Sequence, residues 1–168
     1  MIHRLCVAIA LLAVSIRTVD AIERKPLPEF PLVALDGTLA ASSALALEGK
    51  WLLIYVQPEC TPCTALLRAI GTEQQSGMVD RITIVVGGTD SATVAKMAVG
   101  YPNLAGSRWF ADPTRELRKA LPLAGAPVLF GLKGRMLEWG VTGLTPSLAS
   151  VKNAMSSWVG RGRVPTRS

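Results

Sequence analysis

Two cysteines three residues apart, Cys60 and Cys63, carry the most pointed chemistry in this sequence. They stand in "VQPECTPCTALL" (Val56–Leu67), directly after the apolar run "WLLIY" (Trp51–Tyr55). A pair at this spacing can be a dithiol that moves electrons, half of a metal site, or a covalent staple. The remaining reactive side chains narrow the choice. The chain has three cysteines and one histidine, and the third cysteine, Cys6, and the histidine, His3, lie near its start.

That start reads as a secretory signal. "MIHRLCVAIALLAVSIRTVDA" opens with His3 and Arg4, continues through the apolar stretch Leu5–Ile16, and offers Val19 and Ala21 at the positions a signal peptidase inspects. Cleavage is expected after Ala21, and the periplasm is the expected compartment. An apolar stretch of about twelve residues falls short of the ~20 that a spanning helix needs, so an uncleaved anchor is the lesser alternative. Cys6 sits too early for a lipoprotein cleavage box and is given no role. Removing residues 1–21 leaves two cysteines and no histidine, and lowers the net charge from +6 to about +5.

Without histidine, several chemistries weaken. Structural zinc wants four thiolate or imidazole ligands, and two thiols do not supply them. Copper sites of the histidine-plus-thiolate kind fail for the same reason. Haem attachment needs histidine directly after the second cysteine, where Thr64 stands. A cysteine hydrolase lacks its usual base. A peroxidase is harder to set aside, but it needs a threonine three residues before its cysteine, where this chain has Gln57. No metal and no cofactor are therefore expected. A staple closing so short a loop restrains little unfolded-chain entropy, although that bland role stays open. The redox reading has a positive reason. A cysteine at the first turn of a helix meets unsatisfied amides and the positive end of the helix dipole, which favour thiolate. Cys60 would attack, and Cys63, one turn in and deeper, would resolve the mixed disulfide. Pro62 has no amide to donate, which is harmless at a helix start.

The surrounding elements must hold that pair. With 168 residues, 49% hydrophobic and 18% charged, the chain has the material for one aliphatic core. The expected organisation is a signal at 1–21, one domain at 22–159 and a basic tail at 160–168 that contains Arg161, Arg163 and Arg167. No basic helix with interleaved aromatics occurs, so nucleic acid is not an expected partner. Pro26, Pro28 and Pro31 keep the lead-in extended, and "FPLVALDG" suggests an edge strand with an Asp36-Gly37 turn. "SSALALEGK" suggests a helical turn ending at Gly49. "WLLIYVQ" reads as a strand buried on both faces. A helix follows from Cys60 or Thr61 to about Gly71. Asp80–Gly88 reads as a strand, and "TDSATVAKMAVGY" as a helix capped by Thr89 or Asp90. "SRWFAD" reads as a strand and "PTRELRKAL" as a helix with Pro113 near its start. "APVLFGL" and "RMLEWGV" form a hairpin through Lys133-Gly134. A closing helix is capped by Thr145, with Pro146 at its first position. Trp51, Trp109, Trp139, Trp158 and Tyr55 read as packing residues. The alternation predicts an α/β fold: a mixed central sheet, helices on both faces and an antiparallel final hairpin.

Strand, CxxC and helix in this order resemble the thioredoxin-like fold. A second match lies in "GAPVLFGLKGRMLEWG". In that family a cis-bonded proline begins the strand after the third helix and faces the dithiol, and the peptide group before it pairs with the substrate chain. Pro127, after Ala126, occupies that place. The resemblance thus assigns Cys60 and Cys63 as catalytic, Ala126 and Pro127 as substrate-binding, and Glu59 and Pro62 as modulating. The export signal, the N-terminal extension and the inserted helix at Thr89–Gly100 are similar to the TlpA/ResA-like branch of exported thiol–disulfide oxidoreductases, with a flavour of the MauD accessory proteins. This implies a monomer serving periplasmic client proteins through mixed disulfides, in cytochrome c maturation or dehydrogenase assembly. It would exchange electrons with a membrane thiol/disulfide donor or acceptor. The alternative is a non-catalytic binding or assembly protein with a structural disulfide. Three positions depart from the family: Glu59 where tryptophan often precedes the first cysteine, and Ile54 and Leu66 where relatives keep buried acids.

Overall fold

The computed structural model describes residues 24–71, 78–121, 123–144 and 147–160. The expected signal, most of the expected tail, and the expected helix start at Thr145 and Pro146 lie outside the described residues. In chain order the elements are β1 (Lys25–Pro26), β2 (Pro31–Ala34), β3 (Leu39–Ala41), β4 (Lys50–Val56), α1 (Thr61–Gly71), β5 (Ile82–Gly87), α2 (Ser91–Val99), β6 (Arg108–Asp112), α3 (Glu116–Ala120), β7 (Val128–Lys133), β8 (Met136–Thr142) and α4 (Leu148–Gly160). The strands form one mixed sheet in the order β1-β8-β7-β4-β5-β6-β2-β3. β4, β5 and β6 run parallel; the other pairings are antiparallel.

β4 sits at the centre because its sequence suits both faces at once. Leu52, Ile54 and Val56 point into one apolar cluster with Cys63, Leu66, Leu67 and Ile70 of α1, Val94 of α2, and Val151 and Met155 of α4. Trp51, Leu53 and Tyr55 point into a second cluster with Leu117 of α3 and with Leu27, Phe30, Leu32 and Leu45 of the N-terminal region. Each large side chain so buried contributes about 2 kcal/mol through removal of apolar surface from water. Helices thus cover both faces of the sheet, as the sequence implies. No helix among the described residues is long and apolar enough to cross a membrane.

The differences from the sequence reading are local and have local causes. β2 is not the edge strand: after the Asp36 turn, β3 folds back against it and takes the edge. The helical turn expected to end at Gly49 is a 3-10 turn at Ser42–Leu45. Buried Ser42 fixes it, because its Oγ accepts from Phe30 N (3.2 Å) and lies 2.8 Å from Pro28 O. The strand expected at Asp80–Gly88 covers Ile82–Gly87, after a 3-10 turn at Val79–Arg81. α3 begins three residues after Pro113, which lies in the preceding turn. The lead-in is strapped to the hairpin by ion pairs Arg24–Glu138 and Glu29–Arg135.

Two glycines make room for aromatic side chains. A Cβ at Gly87 would fall on the phenol of Tyr55, and a Cβ at Gly131 would fall on the indole of Trp139. Tyr55 and Trp51 are fully buried and Trp109 nearly so. Trp139 and Trp158 are half-buried and meet edge to face with ring centroids 6.0 Å apart.

Candidate active site

β4 ends at Val56, and the chain turns through Pro58 and Glu59 before α1 starts at Thr61. Cys60 therefore stands at the N-cap of α1. The Thr64 amide donates to the Cys60 carbonyl (3.0 Å), and the Cys63 amide donates to Cys60 Sγ (3.2 Å). A cap side chain normally accepts from the third residue of its helix, and here a sulfur does so. Pro62 lies in the first turn, where its missing N–H leaves no carbonyl unbonded.

The two sulfurs form a disulfide, with S–S 2.10 Å and Cα–Cα 5.2 Å. Their surroundings differ. Cys63 is 2% exposed and packs in the apolar cluster with Ile54 and Leu66. Cys60 is half-buried, between exposed Glu59 and exposed Thr61 and Pro62. Ile54 and Leu66, where the sequence resemblance would place buried acids, are buried hydrocarbon in the same apolar cluster as the inner sulfur.

The second half of the site comes from β7. The β4–β7 register runs from Lys50 opposite Lys133 to Tyr55 opposite Val128. Pro127, one residue before Val128, consequently falls where β4 releases the chain toward Cys60. The Ala126–Pro127 peptide is cis, and the Ala126 carbonyl oxygen lies 3.7 Å from Cys60 Sγ. The Pro127 carbonyl accepts from Gly143 N (2.8 Å), which ties this loop to the end of β8. The structure therefore brings Cys60, Cys63, Ala126 and Pro127 together, with Glu59 and Pro62 at the rim.

Sequence reasoning missed one buried acid. Asp112, at the end of β6, is fully buried, and its carboxylate accepts from the amides of Glu116 (2.7 Å) and Leu117 (3.0 Å). Burial pushes its pKa up, while the two amides pull it down. The signal was present in "ADPTREL": an aspartate closing a strand, followed by proline and a short helical pattern, is a capping arrangement. Asp112 packs on the face opposite Cys63, so it does not replace the absent acids at Ile54 and Leu66. Burial likewise raises the pKa of the Tyr55 phenol on that face. Among the described residues, no three His, Cys, Asp or Glu side chains come together as a metal-binding group.

A parallel β4-β5-β6 core, an antiparallel hairpin, a cysteine pair at the first turn after the central strand and a facing cis-proline define a thioredoxin-like fold. Comparison with solved structures agrees. The chain is similar to a protein described as thiol:disulfide interchange protein DsbE from Chlorobium tepidum (TM-score 0.61, 18% identity, 82% of this chain and 94% of that one). It is also similar to the exposed lipoprotein thioredoxin Etrx1 of Streptococcus pneumoniae (TM-score 0.53, 18% identity, 77% and 99%). A third similar structure is peroxidoxin BcpB from Mycobacterium tuberculosis (TM-score 0.60, 15% identity, 83% and 97%). No protein-family model matches the sequence, and no curated protein matches it. At these identities the likeness is one of fold.

Proposed function

We propose that the chain is an exported thiol–disulfide oxidoreductase of the TlpA/ResA-like kind, acting on disulfides of periplasmic client proteins. The observation that carries this reading is the asymmetry of the pair. A half-exposed sulfur at a helix N-terminus touches the Ala126 carbonyl, and a buried sulfur stands behind it. In the reducing direction, the Cys60 thiolate attacks one sulfur of a client disulfide. The S–S bond breaks, one client thiol leaves and takes up a proton, and a Cys60–client mixed disulfide forms. Cys63, deprotonated, then attacks Cys60 Sγ. The second client thiol leaves, and the Cys60–Cys63 disulfide holds the two-electron oxidation. A membrane thiol donor would return those electrons; the same steps in reverse would oxidise a client dithiol and need a disulfide acceptor. The Cys63 amide aimed at Cys60 Sγ and the dipole of α1 both favour the thiolate at Cys60. The peptide before Pro127 would pair with the client backbone as an added strand. Cytochrome c maturation and dehydrogenase assembly are the pathways that the sequence resemblance suggests.

Likeness to a peroxidoxin raises peroxidase chemistry, but Gln57 stands where that chemistry needs a threonine, which favours disulfide exchange. The experiment is Cys63→Ala in the exporting cell, followed by capture of mixed disulfides. Client proteins should be trapped through Cys60 and released by reductant. A folded, abundant variant that traps nothing would overturn the proposal. Two further measurements separate the enzyme from a binding protein with an inert bridge. The enzyme requires a Cys60 pKa below the free-thiol value of ~8.5, and a reduction potential above about −300 mV.

A further inference from the structure

The turn into the site holds a residue that the backbone does not favour. Glu59 has φ 57, in the left-handed region where glycine or asparagine sits with less strain. Its side chain is exposed, and among the described residues no hydrogen bond or ion pair holds its carboxylate. A side chain kept in a disfavoured backbone state without a structural partner points to a role outside the fold. Its setting indicates which role. Three chain segments meet around Cys60 and Pro127: residues 57–63, residues 123–128, and residues 141–144, the last joined through the Gly143–Pro127 hydrogen bond. Glu59 is the one charged residue in those three segments. A client cysteine that reaches Cys60 therefore brings its neighbouring side chains up to the negative charge of Glu59, the residue next to the attacking sulfur.

We propose that Glu59 is a specificity-determining residue, whose carboxylate favours client disulfides flanked by lysine or arginine and disfavours those flanked by aspartate or glutamate. This rests on the oxidoreductase reading and names the client class for that same site. The local charge opposes the sign of the chain as a whole, which is +6.

The test uses the reduced protein and two cyclic disulfide peptides, identical except for lysine or glutamate beside the cysteines. Single-turnover reduction rates are measured at low and high salt. The Lys-flanked peptide should react about tenfold faster at low salt, roughly threefold for attraction and threefold for avoided repulsion across a few ångströms of water. That ratio should fall toward one at about 0.5 M salt. Glu59→Gln should abolish the ratio, and Glu59→Lys should invert it. Any effect of Glu59 on the Cys60 thiolate alters both rates together and cancels in the ratio. Equal rates for the two peptides in the native protein, or a ratio that survives Glu59→Gln, would overturn the inference and leave the oxidoreductase reading standing. Failure to exchange with either peptide in both directions, reduced protein with peptide disulfide and oxidised protein with peptide dithiol, would overturn both.

Discussion

The N-termini of α1 and α2 are built to the same plan with different atoms. In α2 the Asp90 carboxylate takes the amide of Thr93, the third residue of its helix, at 2.8 Å. In α1 the sulfur of Cys60 takes the amide of Cys63, also the third residue, at 3.2 Å. α4 repeats the plan with Ser147 Oγ and the amide of Ser150. α3 varies it, since the carboxylate of Asp112 reaches two amides from the end of β6. Three helix starts are closed by oxygen and one by sulfur. An oxygen acceptor meets the need of the amide and leaves nothing reactive. A sulfur accepts weakly while neutral and strongly once it is a thiolate, so the same amide that anchors a helix elsewhere stabilises one ionisation state here. The local fold of α1 differs little from that of its neighbours; its chemistry comes from one atom at the cap.

Replacing that atom gives the largest expected effect. Cys60→Ser should keep a cap for the Cys63 amide and lose thiol–disulfide exchange altogether, since a hydroxyl does not replace a thiolate. Its urea midpoint should stay near that of the reduced native protein, and any remaining exchange would show that Cys63 attacks clients directly. Asp112→Ala strips the acceptor from two amides in a fully buried setting and should cost about 2–3 kcal/mol in urea unfolding. A much smaller loss would mean that water replaces the carboxylate. Asp90→Ala removes an exposed cap and should lower the urea midpoint by less than Asp112→Ala, with exchange rates unchanged.

The smallest effect distinguishes the two acid caps by the sign of their pH dependence. The Thr93 hydrogen bond lowers the Asp90 pKa from 3.8, so its ionic contribution is present above that value and is lost as pH falls through the folded pKa. Burial raises the Asp112 pKa from 3.8, so its contribution is fully present below 3.8 and is lost as pH rises through the folded pKa. Urea midpoints of Asp90→Asn and Asp112→Asn against the native protein, from about pH 2.5 to 7, should therefore diverge in opposite directions. Parallel curves would mean that both carboxylates behave as surface groups.

Much of this was legible in the sequence. The apolar run Trp51–Val56 had to be central, Cys60 had to open a helix, and Lys133-Gly134 had to turn a hairpin. Asp90 was one of two expected caps and is the one used. What escaped detection was short or long-range. β1 and β3 have two and three residues, too few for an alternating pattern to register, and their places come from pairing with β8 and β2. Pro113 suggested a helix start, but the carboxylate of Asp112 and the left-handed backbone of Arg115 set it at Glu116. The two cysteines and Pro127 were visible as residues. Their juxtaposition rests on the register of β4 against β7, which no single segment encodes.

The unequal depth of the two sulfurs also concerns time. On the proposed pathway a client joined to Cys60 would be released from within, by a sulfur already held in the first turn of the same helix. The lifetime of that covalent complex would accordingly be a first-order property of the protein. It would not vary with the concentration of free thiol in the compartment, because the resolving group is present at a fixed effective concentration. Each encounter on the proposed pathway would thus carry its own clock.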